Sequence, residues 1–250
     1  MIQPHLLLIG GPNGSGKSTV FPALQNTSDD SFVFAPRKIK NENFINADNI
    51  AVEHSIGDIA AGRKTIQKIK NMISRNEDIA IETTFSGKTI LRYIESAKAN
   101  NYRIYIVFMS LRSSELSMNR VSQRALLGKH YISMKQIMNR YDRSLNNFFN
   151  TYKDLADFWV AADNSTLNIE ILYWGGNAFA KHEKIYSHSM GKNYLTQHID
   201  SSRISTDDRI SPAFYKLVKA RVFEEIRNRP KGNYVSVQNE DGKIEFVKPV

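Results

Sequence analysis

The sequence predicts an α/β fold in which a mostly parallel sheet is flanked by helices. Short apolar runs such as "LLLI" and "YRIYIVFMSL" alternate with longer segments of helical periodicity. This alternation is typical of parallel sheets with helical crossovers. The chain has 250 residues, of which 41% are hydrophobic, enough for one large domain or for a domain with a small appendage.

Each strand is predicted from an apolar run that ends in polar or turn residues. The first run, residues 6–9, stops at Gly10 and Gly11 and has the continuous apolar character of a strand buried on both faces. The later strands are predicted, in chain order, within "FINADNI", "DIAIETTFSG", "YRIYIVFMSL", "DFWVAADNS" and "LNIEILYWGG". The polar stretch before "FINADNI", which contains Pro36, is predicted to be a loop.

Each helix is predicted from periodicity and end signals. The first begins at Lys17 and runs to about residue 25, and isoleucines at mostly helical spacing predict an amphipathic helix over residues 55–75. Three more are predicted within "KTILRYIESAKANN", "SSELSMNRVSQRALLG" and "SMKQIMNRYDRSLNNFFNTY". Ser113 or Ser114 is expected to cap the "SSELSMNRVSQRALLG" helix.

The chain divides into a predicted core, residues 1–186, and an extension, residues 187–250. The extension opens with a polar, weakly patterned stretch, residues 187–210, which we interpret as a surface linker. A helix is predicted to begin near Pro212, and "NYVSVQNEDGKIEFVKP" predicts a β-hairpin that turns at its Asp-Gly pair. This small helix and hairpin are predicted to pack on the core.

Composition excludes several classes of site. The chain has no cysteine, so disulfides, thiolate zinc sites and cysteine nucleophiles are excluded. It has no apolar run of about 18 residues or more, so we expect no membrane span. The first residues lack the basic segment of a secretory signal, and we expect a cytoplasmic protein.

The formal net charge of +9 is unevenly distributed. Residues 1–150 hold 20 Lys and Arg against 12 Asp and Glu, whereas residues 151–250 hold 14 against 13. The surplus is open to three interpretations: a solvated basic surface, a pocket for several phosphates, or a nucleic-acid face.

Residues 11–18, "GPNGSGKS", fit the pattern G-x-x-x-x-G-K-[ST] between the first strand and the first helix, and predict a P-loop NTPase fold. Glycines let backbone N–H groups turn toward phosphate oxygens, and the helix N-terminus adds partial positive charge. Lys17 is predicted to reach the β- and γ-phosphates of ATP, and Ser18 to ligate Mg²⁺. The alternative is a glycine-rich turn without a ligand. The predicted ATP-binding residues are Gly11, Pro12, Asn13, Gly14, Ser15, Gly16, Lys17, Ser18, Thr19 and Arg120.

Asp48, in "INADNI", follows a short apolar run after the loop. Phosphoryl transfer to a hydroxyl requires a group that accepts the proton, and a carboxylate facing the γ-phosphate could do so. The alternative is a helix N-cap, a position that Asp favours. In a chain with a phosphate-binding loop, we interpret Asp48 as the catalytic base.

Glu82, Thr83 and Thr84 end the strand predicted within "DIAIETTFSG". Glu82 could hold Mg²⁺ through water or bind a substrate hydroxyl, and the threonines offer hydroxyl groups to a polar substrate. The alternative is a solvated acid at a strand end. We expect these three residues to bind substrate.

Arginines are concentrated in the two helices that follow "YRIYIVFMSL". Arg120 and Arg124 lie one turn apart on one helix, and Arg140 lies on the next. Residues 103–143 hold eight Lys and Arg against two Asp and Glu. Guanidinium groups bind phosphate and stabilise its transfer, so catalytic roles are predicted for Arg124 and Arg140 alongside Lys17. The alternative is a solvated basic helix pair.

Three other polar features have weaker signals. The segment "LLGKHYISMKQI" between the arginine helices could close over ATP as a flap, and its lone His130 is interpreted as structural. Asp163 and Asn164 follow "DFWVAA", where they could shape the adenine side of the site or simply end the strand.

Taken in order, the segments "GGPNGSGKST", "INADNI", "IETTFSG", "NRVSQRALLGKHYISMKQIMNRYDRSL" and "DFWVAADNS" resemble the zeta toxin family of P-loop kinases. The closing "YVSVQNEDGKIEFV" is similar to the usual ending of its chromosomal branch, often labelled predicted ABC-type ATPases. The chain has no L-S-G-G-Q signature, so the ABC-type label gains no support.

The resemblance implies a reaction and a partner. It implies that the ATP γ-phosphate is transferred to a sugar hydroxyl of a UDP-activated amino sugar, typically UDP-N-acetylglucosamine, and that a small antitoxin blocks the ATP site. It further implies that Asp48 is the base, that Glu82 and Thr84 bind substrate, and that Arg124 and Arg140 attend the ATP phosphates.

Three functions therefore remain open on the sequence. The leading one is this small-molecule kinase, with ATP and Mg²⁺ as cofactors. The second is a nucleoside or polynucleotide kinase, which the charge of +9 motivates. It ranks lower because the basic residues cluster around the presumed ATP site. The third is a non-enzymatic, ATP-bound interaction module. Neither nucleic acid nor a membrane is an expected partner.

Overall fold

The computed structural model covers most of the predicted core and parts of the extension. It describes residues 3–25, 39–46, 58–126, 132–167, 169–177, 185–187, 194–198, 204–205, 235–239 and 241–247.

Within these ranges the helices and strands alternate as the sequence predicts. The α-helices are α1 (Lys17–Gln25), α2 (Asp58–Ser74), α3 (Thr89–Ala99), α4 (Ser114–Leu126) and α5 (Met134–Asn147). The strands are β1 (His5–Gly10), β2 (Phe44–Ile45), β3 (Ile79–Thr83), β4 (Arg103–Ser110), β5 (Phe158–Asp163), β6 (Glu170–Gly175), β7 (Ile185–Ser187), β8 (Ile204–Ser205), β9 (Val235–Gln238) and β10 (Ile244–Val247).

Strand β1 lies inside the main sheet, whose order is β2-β3-β1-β4-β5-β6-β7-β8. It pairs in parallel with β3 on one side and with β4 on the other. Leu6 and Leu8 pack with residues of α2, α3 and α5, whereas Leu7 and Ile9 pack with α1 on the opposite face. Because both faces are covered, the run is apolar at every position, and the predicted buried strand is confirmed.

The sheet is parallel from β2 to β5 and mixed beyond it. The β5–β6 and β6–β7 pairs are antiparallel, and β7–β8 is parallel. The predicted α/β fold with a mostly parallel sheet is therefore confirmed. None of the helices in the described ranges is both long and apolar enough to cross a membrane.

The main sheet continues into the stretch predicted as a polar linker. β8 lies in that stretch and pairs with β7 at the end of the predicted core, and Leu195 is fully buried in the core. Such short segments carry too few residues to show an apolar pattern. The boundary at residue 186 stays a prediction, and the helix predicted near Pro212 lies outside the described residues.

The predicted C-terminal hairpin is present. β9 and β10 pair antiparallel, and the turn between them includes Gly242, whose φ is 82°. A positive φ of this size suits glycine, which explains the Asp-Gly pair at the turn.

Helix α4 is capped by Ser113 and not by Ser114. The Leu116 N–H donates to Ser113 Oγ at 3.2 Å, which satisfies one of the free N–H groups of the first turn. The cap matters for the site because α4 carries the residues that contact the phosphate-binding loop.

The end of β1 packs against a strained residue in the turn after β3. A Cβ atom on Gly10 would lie 1.8 Å from Cε2 of Phe85, so only glycine fits beside this ring. Phe85 is fully buried with a φ of 54°, a left-handed conformation that costs about 1–2 kcal/mol. Asn147 Nδ2 holds this turn by donating to the Phe85 carbonyl oxygen at 2.7 Å.

We therefore predict that Gly10→Ala destabilises the fold by about 1–3 kcal/mol, because the added methyl group overpacks the Phe85 ring. The matched control is Gly87→Ala, where a Cβ atom would meet nothing within 4 Å. Urea unfolding of both variants measures the difference. Equal unfolding midpoints for the two would contradict the close packing at Gly10.

Three buried tyrosines donate their hydroxyl groups to backbone carbonyl oxygens. Tyr102 donates to the carbonyl of Glu77 at 2.8 Å, Tyr141 to that of Leu111 at 2.7 Å, and Tyr152 to that of Gly87 at 2.5 Å. Burial raises the pKa of Tyr102 and of Tyr141, and raises the pKa of Tyr152 to about 12.

Stability should accordingly fall in alkaline solution. Above pH ~10 an unfolded tyrosine loses its proton, whereas Tyr152 keeps its proton in the fold up to pH about 12. The free energy of unfolding therefore decreases as pH rises through this window. Tyr152→Phe should cost about 1 kcal/mol at pH ~8 through the lost hydrogen bond and should lose less stability between pH 8 and 11 than the parent. Urea titrations at both pH values test this, and equal losses would refute it.

Candidate active site

The phosphate-binding loop, residues 11–18, connects β1 to α1 at the carboxyl edge of the sheet. Gly11 has a φ of 140°, and a Cβ atom there would lie 2.0 Å from the Met109 carbonyl oxygen on β4. Gly16 has a φ of 87°, and its Cβ atom would lie 2.5 Å from Asn164 Nδ2. The loop thus passes so close to β4 and to the end of β5 that side chains at these positions are excluded.

Lys17 is the first residue of α1 and is buried. Its Nζ donates to the Pro12 carbonyl oxygen at 2.7 Å, so the ammonium group lies over the loop itself. Ser18 is exposed, and Thr19 Oγ1 donates to the Gly16 carbonyl oxygen at 2.6 Å. The first turn of α1 therefore carries the Lys17 ammonium group and the exposed Ser18 hydroxyl.

Helix α4 holds two carbonyl oxygens of the loop. Ser117 Oγ donates to the Asn13 carbonyl at 2.5 Å, and Arg120 Nη1 makes a longer contact of 3.5 Å with the Gly14 carbonyl. Both side chains are buried. One face of α4 therefore forms the outer wall of the loop.

The residue after β5 holds a third carbonyl. Asn164 Nδ2 donates to the Ser15 carbonyl oxygen at 2.9 Å. Carbonyls 13–15 are thus directed at side-chain donors outside the loop. In a trans peptide the C=O and the following N–H point in opposite directions, so the N–H groups of Gly14 and Gly16 face away from these donors. That orientation is the one required to bind an anion within the loop.

The predicted substrate-binding residues lie one strand away. In the parallel register Ile9 pairs with Glu82 and Gly10 pairs with Thr83, so these positions are level with the start of the loop. Glu82, Thr83 and Thr84 are all half-buried. Adjacent strands are about 4.8 Å apart, and the structure therefore brings these residues to the same edge as the loop.

A compact turn holds these residues in place. Thr83 Oγ1 accepts from the Phe85 N–H at 3.2 Å, and the Thr84 and Ser86 hydroxyl oxygens are 2.7 Å apart. Asn147 closes the turn through its bond to the Phe85 carbonyl. The strand end is therefore positioned by α5 as well as by the sheet.

The predicted catalytic residues are only partly within the described ranges. Asp48 and residues 127–131 of the predicted flap, residues 126–137, lie outside them, and the end of that segment belongs to α5. Arg124 is exposed on α4, and Arg140 is half-buried on α5. Within the described ranges neither guanidinium group makes a hydrogen bond or ion pair, so the predicted roles of both stay predictions. Arg120, by contrast, contacts backbone carbonyls.

Two residues contact the loop in a way that the sequence does not predict. Ser117 had not been identified, although it lies three residues before Arg120 and therefore on the same face of α4. Asn164 directly follows the end of β5, as one of its two predicted alternatives has it, and its side chain also donates to the loop carbonyl of Ser15. Asp163 instead accepts from Arg112 Nε at 3.0 Å.

The donor set fits the phosphates of ATP. Ser15 Oγ is buried and has no hydrogen-bond partner among the described residues, as expected of a group placed to meet a ligand. The Lys17 ammonium and the inward N–H groups add positive character. Ser18 would be the protein ligand for Mg²⁺. No group of three or more His, Cys, Asp or Glu side chains that could hold a metal ion occurs in the described part of the chain.

Comparison with known proteins identifies the family. The family model described as Zeta toxin matches residues 1–160, more than half of the chain. The chain belongs to the zeta toxin family. A Haemophilus influenzae protein, described as uncharacterized, is 27% identical over 146 residues, which cover 56% of this chain and 95% of that protein.

A solved structure with a TM-score above 0.5 shows the same fold. The AvrRxo1-ORF1:AvrRxo1-ORF2 complex aligns with a TM-score of 0.51 and 12% identity, covering 90% of this chain and 70% of that one. A structure of the chromosomal PezAT toxin–antitoxin system of Streptococcus pneumoniae aligns with a TM-score of 0.49 and 13% identity, covering 90% and 88%. The predicted P-loop kinase-like fold and the predicted family are confirmed.

We predict that Asn164→Asp raises the Kd for ATP at least about tenfold. The substitution replaces the donor to the Ser15 carbonyl with a carboxylate oxygen and places a negative charge beside the phosphates. Asn119→Asp is the matched control, because Asn119 donates to the Glu115 carbonyl on the exposed side of α4. Isothermal titration with ATP measures both, and an unchanged Kd for Asn164→Asp would contradict its role in supporting the loop.

Proposed function

We propose that the protein is a cytoplasmic ATP-dependent kinase of zeta toxin type. It transfers the γ-phosphate to a sugar hydroxyl of a UDP-activated amino sugar such as UDP-N-acetylglucosamine. It acts as the toxin of a toxin–antitoxin pair. The observation that carries the proposal is the register of β1 with β3, which sets Glu82 and Thr83 level with the start of the phosphate-binding loop. Membership of the zeta toxin family supports the phosphotransferase class.

The loop forms the donor half of the site. Inward N–H groups bind the phosphates, and the Lys17 ammonium moves from the Pro12 carbonyl to the β- and γ-phosphates. Ser18 would hold the metal ion. Mg²⁺, when bound, supplies charge neutralisation at those phosphates. Arg124 and Arg140 add the positive charge that the transfer step requires.

The ends of β2 and β3 form the acceptor half. Glu82, Thr83 and Thr84 bind the hydroxyl groups of the sugar. The described chain continues past β2 to Asn46, and β2 pairs with β3 one position before Glu82. Asp48 follows two residues later in sequence, which supports its assignment as the base.

The proposed reaction requires one proton transfer. The acceptor hydroxyl oxygen forms a bond to the γ-phosphorus while the bond to the β–γ bridging oxygen breaks and ADP leaves. Asp48 accepts the hydroxyl proton. In this scheme Arg124, Arg140 and the loop bind the phosphates of ATP. Asp48 alone carries out the acid–base step.

The partner is proposed from the family. A small antitoxin protein would bind over the ATP site and keep the kinase inactive. Nucleic acid is not proposed as a substrate, because the two basic side chains that contact the loop in the described chain, Lys17 and Arg120, donate to backbone carbonyl oxygens.

The proposal predicts a mass increase of one phosphate on UDP-N-acetylglucosamine when it is incubated with the protein, ATP and Mg²⁺. Lys17→Ala and Asp48→Asn should each lower the rate by at least about a hundredfold, through lost charge stabilisation and lost proton transfer. Mass spectrometry of a panel of nucleotide sugars, nucleosides and a 5′-hydroxyl oligonucleotide measures acceptor choice.

Matched controls are Lys70→Ala on the exposed face of α2 and Asp241→Asn in the exposed hairpin turn. Both should retain the parent rate. Full activity of Asp48→Asn would refute the base. ATP binding without phosphorylation of any nucleotide sugar would refute the substrate class, and phosphorylation of the oligonucleotide would favour a polynucleotide kinase instead.

A further inference from the structure

The C-terminal hairpin presents polar side chains to the core. Along β9 the alternate residues Ser236 and Gln238 are buried, with exposures of 0% and 8%. A strand that packs on a core usually buries apolar side chains on that face. Ser236 and Gln238 therefore form a contact based on hydrogen bonds, which demands a defined docking position.

Helix α4 provides one side of this contact. Arg120 Nε donates to the Ser236 carbonyl oxygen at 2.8 Å, and Ser236 Oγ donates to Gln123 Oε1 at 2.9 Å. At the start of α4, Ser113 Oγ donates to Gln238 Oε1 at 2.9 Å. Since Ser113 is also the helix cap, β9 is tied to α4 from the N-cap of this helix to its third turn.

The segment after β5 provides the other side. The Gln238 N–H donates to the Ser165 carbonyl oxygen at 2.9 Å. Ser165 directly follows Asn164, whose side chain holds the Ser15 carbonyl of the loop. Both supports of the phosphate-binding loop, α4 and Asn164, are therefore linked to the same strand of the hairpin.

Arg120 connects the hairpin with the loop directly. Its buried guanidinium group reaches Ser236 through Nε and Gly14 through Nη1. The packing leaves little slack, because a Cβ atom on Gly14 would lie 3.1 Å from Arg120 Cβ and 3.1 Å from the Ser117 carbonyl oxygen. A shift of α4 is therefore passed to the loop.

We propose that the C-terminal hairpin holds the phosphate-binding loop in its binding geometry, and that Arg120 is the positioning residue that links them. Arg120 acts through the loop backbone, which differs from the direct contact with ATP that the sequence predicts for it. The proposal rests on the proposed function in that ATP is the ligand of the loop. It assigns the C-terminal extension a part in nucleotide affinity.

The test measures binding of ATP and of adenosine to the full-length protein in Mg²⁺. Ser236→Lys places a cation in a fully buried position beside Arg120 and should displace the hairpin. Glu245→Lys introduces the same side chain at an exposed position on β10 and is the matched control. We expect Ser236→Lys to raise the Kd for ATP about tenfold, to leave the Kd for adenosine unchanged, and Glu245→Lys to change neither.

Substitutions at Arg120 distinguish a role in positioning the loop from a direct electrostatic contact with ATP. A lysine cannot bridge two carbonyls with the fork of a guanidinium group, so Arg120→Lys should lose about as much ATP affinity as Arg120→Gln. Combining Ser236→Lys with Arg120→Gln should add no further loss, because both act on one linkage. Additive losses, or nearly full ATP affinity in Arg120→Lys, would overturn the proposal.

Two further outcomes are distinguishable. If the parent does not bind ATP, the proposed function fails. If the parent binds ATP and Ser236→Lys binds it equally well, the role of the hairpin is refuted while the kinase proposal stands. Urea unfolding checks that each variant is folded. Should Ser236→Lys fail to fold, Ser236→Ala, which removes only the bond to Gln123, should still weaken ATP binding without changing adenosine binding, and no change would refute the role.

Discussion

The candidate site depends on the hydrogen bonds that hold three consecutive carbonyl groups of the phosphate-binding loop. The carbonyl oxygens of residues 13–15 accept hydrogen bonds from side chains outside the loop, those of Ser117, Arg120 and Asn164. Peptide planarity then determines the direction of the N–H groups. A loop of glycines has many accessible conformations, and these contacts select one of them. The conformational entropy of the loop is therefore lost when the chain folds and not when the ligand binds.

The central position of β1 brings the two halves of the site together. Parallel strands on both sides of β1 end at one edge, so the loop after β1, Glu82 at the end of β3 and Asn164 after β5 share that edge. Gly10 allows the Phe85 ring to approach the entry to the loop. The same contact fixes how far the strand end of β3 lies from the loop.

The periphery supports this edge from two directions. On one side Asn147 and Tyr152, at the end of α5 and in the π-helical turn Phe148–Tyr152 that follows it, bind carbonyls of the turn after β3. On the other side the C-terminal hairpin binds α4 and the segment after β5. In both cases several of the acceptors are backbone carbonyl oxygens, which are present at every position and leave no trace in the residue pattern.

Sequence alone determined the phosphate-binding loop and most of the elements, whereas tertiary structure decided the pairing of β7 with β8 and the contacts around the loop. The continuous apolar run of β1, the G-x-x-x-x-G-K-[ST] pattern and the arginine-rich helices are local signals, because burial on both faces, phosphate binding and helical spacing each demand particular residue types at short range. The roles of Ser117, Asn164 and Ser236 were not readable in this way. Each contacts the loop or α4 across about a hundred residues or more of chain, and Arg120 reaches a backbone oxygen that any residue would supply. Only the folded chain brings such pairs together, since a carbonyl acceptor has no sequence signature and a lone serine or asparagine fits many positions equally well.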